Sequence, residues 1–159
     1  MRTMISILLF AWATTAFAGE WRTSVQTDPM DDFSVVIAQT RSDEPYETRF
    51  GQERHATLGV YCRLPIPGIV LVMDNRIGRD VNQVRVRFDD APPEPVRINV
   101  HENGRQGELQ RQDMLLAGFR NHERVLLEIV SRGHRMITEF SLDGANDALD
   151  EAFADCGEP

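Results

Sequence analysis

Met136-Ile137-Thr138-Glu139-Phe140-Ser141-Leu142-Asp143-Gly144, continued through Ala148-Leu149 to Cys156, decides how the chain is read. The first seven residues are β-branched and apolar enough for a strand. Asp143-Gly144 is a turn, and the remainder carries apolar residues at helical spacing. Ala145, Leu149, Ala152 or Phe153, and Cys156 fall on one stripe at intervals of three and four, with Asp147, Asp150, Glu151 and Asp155 on the other side. Asp143 or Asn146 is the expected cap, accepting hydrogen bonds from the free amides of the first turn. The stripe should face a sheet and carry Cys156 towards it.

The only other cysteine, Cys62, lies in Ala56-Thr57-Leu58-Gly59-Val60-Tyr61-Cys62-Arg63-Leu64. Alternation puts Leu58, Val60, Cys62 and Leu64 on one face, the core side. Two cysteines in an exported chain are best read as one disulfide, here tying the last helix to the sheet. Closing so long a loop is credited with about 4 to 5 kcal/mol by chain-entropy arguments.

Export is read from the N-terminus. Arg2 is followed by an apolar run from Met4 to Trp12 and by Ala16-Phe17-Ala18, a small-x-small cleavage pattern. The run is shorter than the roughly 20 residues of a membrane-spanning helix. Residues 1–18 are therefore expected to be a signal peptide, and 19–159 a single secreted β-rich domain, periplasmic or released, with no membrane span after cleavage. The whole chain has a net charge of -8, and losing Arg2 makes it one unit more negative. That balance disfavours nucleic acid as a partner. All 17 basic residues are arginine.

Further strands are expected at Trp21–Gln26, Phe33–Ala38 and Ile69–Met73. Arg41 to His55 reads as an exposed hairpin connection or a flexible loop, and His101-Glu102-Asn103-Gly104 with Gly107 as a turn-rich segment. Val84-Arg85-Val86-Arg87-Phe88 and Val96-Arg97-Ile98-Asn99-Val100 alternate and read as a hairpin. Pairing Phe88 with Val96 would set Arg87 opposite Arg97. Such an arginine cluster is either laced by neighbouring acids or kept open for an anionic ligand, and Arg85, Arg87 and Arg97 form the candidate binding surface. A short helix spans Gln110 to Phe119, ending near Gly118. Val125–Val130 pairs back onto Met136–Leu142. The fold class is mostly β: an antiparallel β-sandwich or meander with one short internal helix and a C-terminal helix disulfide-tied to the sheet.

Catalytic signatures are missing. His55, His101, His122 and His134 show no metal-ligand spacing, and no His-Glu-x-x-His, Cys-x-x-Cys, Walker or Gly-x-Ser-x-Gly pattern occurs. The sequence implies no catalytic residue, no metal and no cofactor. Asp31-Asp32 and Asp89-Asp90 read as turn aspartates.

A signal-like start before Trp21 and Asp31-Asp32, the cysteine-bearing strand, Val84-Arg85-Val86-Arg87-Phe88-Asp89, and Phe140-Ser141-Leu142-Asp143-Gly144 with Ala148-Leu149 and a terminal cysteine together resemble the small secreted VasI/TagO-like proteins. Some of these are linked to type VI secretion. The resemblance implies a non-catalytic accessory or binding module of the cell envelope, meeting an envelope protein or a cell-wall component. The rival expectations are a cell-wall-acting hydrolase using acids around Asp31, Asp32 or Glu139, and an inhibitor or immunity-like protein for a basic partner.

Overall fold

The computed structural model describes residues 19–28, 33–63 and 66–154. The strands are β1 (Arg22–Asp28), β2 (Phe33–Arg41), β3 (Tyr46–Glu47), β4 (Glu53–Arg54), β5 (Ala56–Arg63), β6 (Ile66–Met73), β7 (Gln83–Phe88), β8 (Glu94–Val100) and β9 (Gln106–Leu109). Helix α1 (Gln112–Asn121), strands β10 (Arg124–Ser131) and β11 (His134–Ser141), and helix α2 (Ala145–Phe153) complete the order. Nine strands form one sheet in the order β1-β2-β5-β6-β9-β8-β7-β10-β11, and β3-β4 is a separate two-stranded ribbon. All neighbouring strands run antiparallel, as the sequence predicts.

Alternation explains the core. Leu58, Val60 and Cys62 on β5, Ile69, Leu71 and Met73 on β6, Val84 and Val86 on β7, and Val125, Leu127 and Ile129 on β10 are all buried. They line the inner side of a sheet that curls on itself. Leu115 and Phe119 of α1 and Leu149 of α2 fill the interior that remains, each contributing about 1.5 to 3 kcal/mol by leaving water. Helix α2 packs on β1, β2 and β5, and α1 on β6 and α2. Strand β8 makes the bend: its first half pairs with β7, Val84 facing Val96, and its second half with β9, Ile98 facing Leu109.

The two margins of the sheet approach each other without forming a ladder. The Asp43 amide donates to the Glu139 carbonyl (2.9 Å), and Trp21 Nε1 donates to the Ser141 carbonyl (3.0 Å). His134 Nε2 reaches the Glu47 carbonyl (2.9 Å). The segment after β2 therefore covers the free edge of β11, a common way to blunt an edge strand.

Several expectations are corrected. Of the two readings of Arg41 to His55 the hairpin connection holds, as β3 and β4, but it is not exposed throughout: Ser42, Tyr46 and Thr48 are buried. The Tyr46 hydroxyl donates to Asn75 Oδ1 and accepts from the Asn75 amide (3.3 Å), so one aromatic anchor holds a charged segment down. Residues 102–105 are turn as expected, but Gly107 belongs to β9 and lies against Ile98 with no room for a Cβ. The β7–β8 register differs by four residues, with Val84 and not Phe88 facing Val96. An even shift keeps every side chain on its face, so alternation could not distinguish the two registers. The β7–β8 ladder closes at Val86 with Glu94, and Phe88 pairs instead with Val125. Neither Asp143 nor Asn146 caps α2. Gly144 takes that position at φ +78° with no side-chain cap, while Asn146 exchanges hydrogen bonds with Arg120 of α1. Gly118 lies within α1 and does not end it.

Cys62 lies on the inner face, as alternation predicts, and is not a free thiol. Cys156, Leu64, Asp31, Asp32 and the expected signal segment lie outside the described residues. No helix among the described residues is long and apolar enough to cross a membrane.

Candidate binding site: an arginine-lined cleft

The three sequence-selected arginines share the outer face of β7 and β8, but two of them are committed elsewhere. Arg85 Nη1 meets Glu128 Oε2 at 2.8 Å across the β7–β10 ladder. The same Glu128, only 13% exposed, is also held by Arg135 from β11. Arg87 Nη2 lies 3.3 Å from Asp90 Oδ1, which Arg124 contacts as well (3.2 Å). Arg97, opposite Gln83, is exposed. Of the two readings of the cluster, lacing describes Arg85 and Arg87.

Asp89 is a turn aspartate, as expected. At φ 45° its Oδ1 accepts from the amides of Glu123 (3.1 Å) and Arg124 (3.0 Å), and its Oδ2 from His122 Nδ1 (2.8 Å). The His122 hydrogen bond, foremost, holds the Asp89 carboxyl below the ordinary carboxylate value. The His122 ring stacks on Phe88 at 5.1 Å. This contact braces the start of β10.

A different group of arginines gathers at one end of the sheet. The β3–β4 turn, the β6–β7 connection, the β8–β9 turn and the β10–β11 turn enclose a cleft of about 830 Å³. Four arginines line it (Arg49, Arg76, Arg79 and Arg132), together with His134, against the two acids Asp80 and Glu102. All four arginines are exposed. Among the described residues, Arg49, Arg76, Arg79 and Arg132 make no ion pair, and Arg79 donates to the Glu102 backbone carbonyl (3.3 Å).

The walls are ordered by short-range bonds. Ile77, fully buried, donates its amide to the Gly104 carbonyl (2.7 Å), which fastens the β6–β7 connection to the β8–β9 turn. Arg132 takes φ 50° and Gly133 φ 76° in a two-residue hairpin turn. Thr48 is buried, accepts from the Gly51 and Gln52 amides through its carbonyl and hydroxyl (2.9 and 3.1 Å), and donates its own amide to the Gln52 carbonyl (2.8 Å). That turn lifts Phe50, 85% exposed, onto the rim.

Sequence reading missed this site because its arginines lie in three separate connections. Only the topology unites them. The one local signal was Arg49-Phe50-Gly51, a bulky aromatic beside a cation at a glycine turn.

The opposite end is acidic. Asp43, Glu123, Glu139, Asp143 and Asp147 line a cleft of about 750 Å³ with Arg124 and His122. Burial, and then the neighbouring charge of Glu139, raise the Asp43 carboxyl above its ordinary value of 3.8. Glu139 is itself 3.6 Å from Arg124 Nη1. No trio of His, Cys, Asp or Glu among the described residues is placed to hold a metal.

Fold and site together define a mostly-β protein, an antiparallel sheet curled around its core with charged clefts at its two ends. Among solved structures, the crystal structure of invasion associated protein B from Bartonella henselae is similar, with a TM-score of 0.58, 14% sequence identity, and coverage of 89% of this chain and 97% of that one. The likeness is one of fold. No protein-family model and no curated protein sequence matches the chain.

Proposed function

We propose that the protein is a non-catalytic binding module of the cell envelope, acting in the periplasm or after secretion. The observation that carries this reading is the arginine-lined cleft. Four guanidinium groups from three connections stand without acid partners among the described residues, in a chain whose net charge is -8. In a protein so rich in carboxylates, cations left facing one concavity favour an anionic partner. The signal-like N-terminus supplies the compartment, and a Cys62–Cys156 disulfide fastens the end of α2 to β5. The resemblance to VasI/TagO-like proteins extends the reading to a secretion-associated accessory role.

Capture from an envelope extract tests it. The double variant Arg76→Glu/Arg132→Glu should lose the partner that the unaltered protein retains, with an unchanged melting temperature. Reversal at Arg87 and Arg97 distinguishes the surfaces: if it alone abolishes capture, the outer face of β7 and β8 is the binding surface and the cleft is not.

A second reading, a hydrolase acting on wall material, is favoured by one observation. Asp43 is kept protonated to higher pH beside Glu139 in a cleft, the pattern by which two carboxyls divide acid and base roles. Release of soluble fragments from wall material, abolished by Asp43→Asn, would establish it in place of the binding module.

A further inference from the structure

We infer that the arginine-lined cleft takes an acidic oligosaccharide, with its carboxylates on the guanidinium groups and a sugar face on Phe50. This names the ligand class of the binding module proposed above and rests on that reading.

Three features of the cleft select this class. Arg49, Arg76 and Arg132 are exposed around the concavity, so their donors meet a ligand from several directions. A guanidinium presents a planar fork that matches a carboxylate. The lining is otherwise amide and hydroxyl, from Asn75, Asn103 and Ser131, with only Phe50 and the 3%-exposed Met136 apolar. A peptide groove needs several apolar side chains to form its pockets, and here Phe50 and Met136 are the apolar side chains. A membrane surface would be met by a convex, uniformly basic patch, whereas here the arginines line a concavity that also holds Asp80 and Glu102.

Phe50 is the second, independent observation. A large aromatic that is 85% exposed at the tip of a turn pinned by Thr48 and Tyr46 has its ordering cost met before any ligand arrives. One ring face suits the C–H face of a sugar. The volume, about 830 Å³, accommodates a few sugar units.

Titration calorimetry on the purified protein, with tetragalacturonate as probe, tests the inference. Binding is expected to weaken at least about tenfold when salt rises from about 0.02 M to about 0.3 M. Arg76→Gln/Arg132→Gln should weaken it by at least about tenfold, and Phe50→Ala by about tenfold, with unchanged melting temperatures. Neutral maltotetraose should not bind. Equal binding of maltotetraose overturns the role of charge. Tighter binding of tetraglutamate, or of phosphatidylglycerol vesicles, overturns the ligand class. Absence of tetragalacturonate binding, or variants without effect on it, overturns the inference itself. Capture of an envelope partner through the cleft in that case leaves the broader module reading standing.

Discussion

The ring of Phe88 lies over the Cα of Gly118, so close that a Cβ there would sit 2.1 Å from Phe88 Cζ. Phe88 also meets Phe119 edge-on at 5.9 Å, and the Trp21 ring lies tilted to Phe119 at 6.2 Å. Strand β7 and helix α1 are thereby fitted at a single glycine.

Gly118→Ala should therefore destabilise the fold, although alanine is the better helix former. Overpacking costs about 1 to 3 kcal/mol, against at most about 1 kcal/mol gained in propensity. A fall of several degrees in melting temperature is expected. An unchanged or higher value would mean that the ring can swing aside.

Tyr46→Phe should cost about 1 to 2 kcal/mol, because it leaves Asn75 Oδ1 and the Asn75 amide without their partner. Denaturant unfolding measures the loss. Amide exchange should also quicken at Thr48 and Gly51, since the turn bearing Phe50 is anchored through Tyr46. Slow exchange there in the variant would mean that Thr48 alone holds the turn.

Asp43 gives a pH dependence with a definite sign. Its carboxyl is raised in the folded state, chiefly by burial and then by Glu139. The folded chain thus binds this proton more tightly than the unfolded one, and the contribution to stability is present below the ordinary carboxylate value and lost as pH rises through the folded value. Asp43→Asn should therefore raise the melting temperature at about pH 7 more than at about pH 4. An equal difference at both pH values would show that the charge is already relieved.

Mass measurement of exported protein after alkylation checks the proposed disulfide. No alkylated cysteine is expected without reductant, and two after reduction. Two labels without reductant would remove the covalent tie between β5 and the end of α2.

Faces were legible in the sequence where registers were not. Leu58, Val60, Cys62, Val84, Val86 and Val96 all point inward as alternation requires, because a period of two is a local property. The register at Val96 is not local: Phe88 pairs with Val125 of β10 and packs on α1, contacts that alternation does not encode. Tyr46 was hidden for a related reason: one aromatic in a charged segment has no periodicity, and its burial depends on Asn75, far along the chain. Gly118 was read as a helix end, since its tight neighbour comes from a different strand. The outer-face arginines stood out as a motif, yet Glu128, the acid that engages Arg85, lies on another strand. Arg76 and Arg132 carried no motif at all, and Arg49 only the aromatic and glycine beside it.

The cover that residues 42–48 place over β11 has one more consequence. Asp43 meets that strand's rim through one backbone bond and Glu47 holds the His134 ring, with no continuous ladder between them. Prising this flap away would bare a template for a tenth strand, and two molecules so opened could zip together along β11. Self-association on mild destabilisation should begin at that margin.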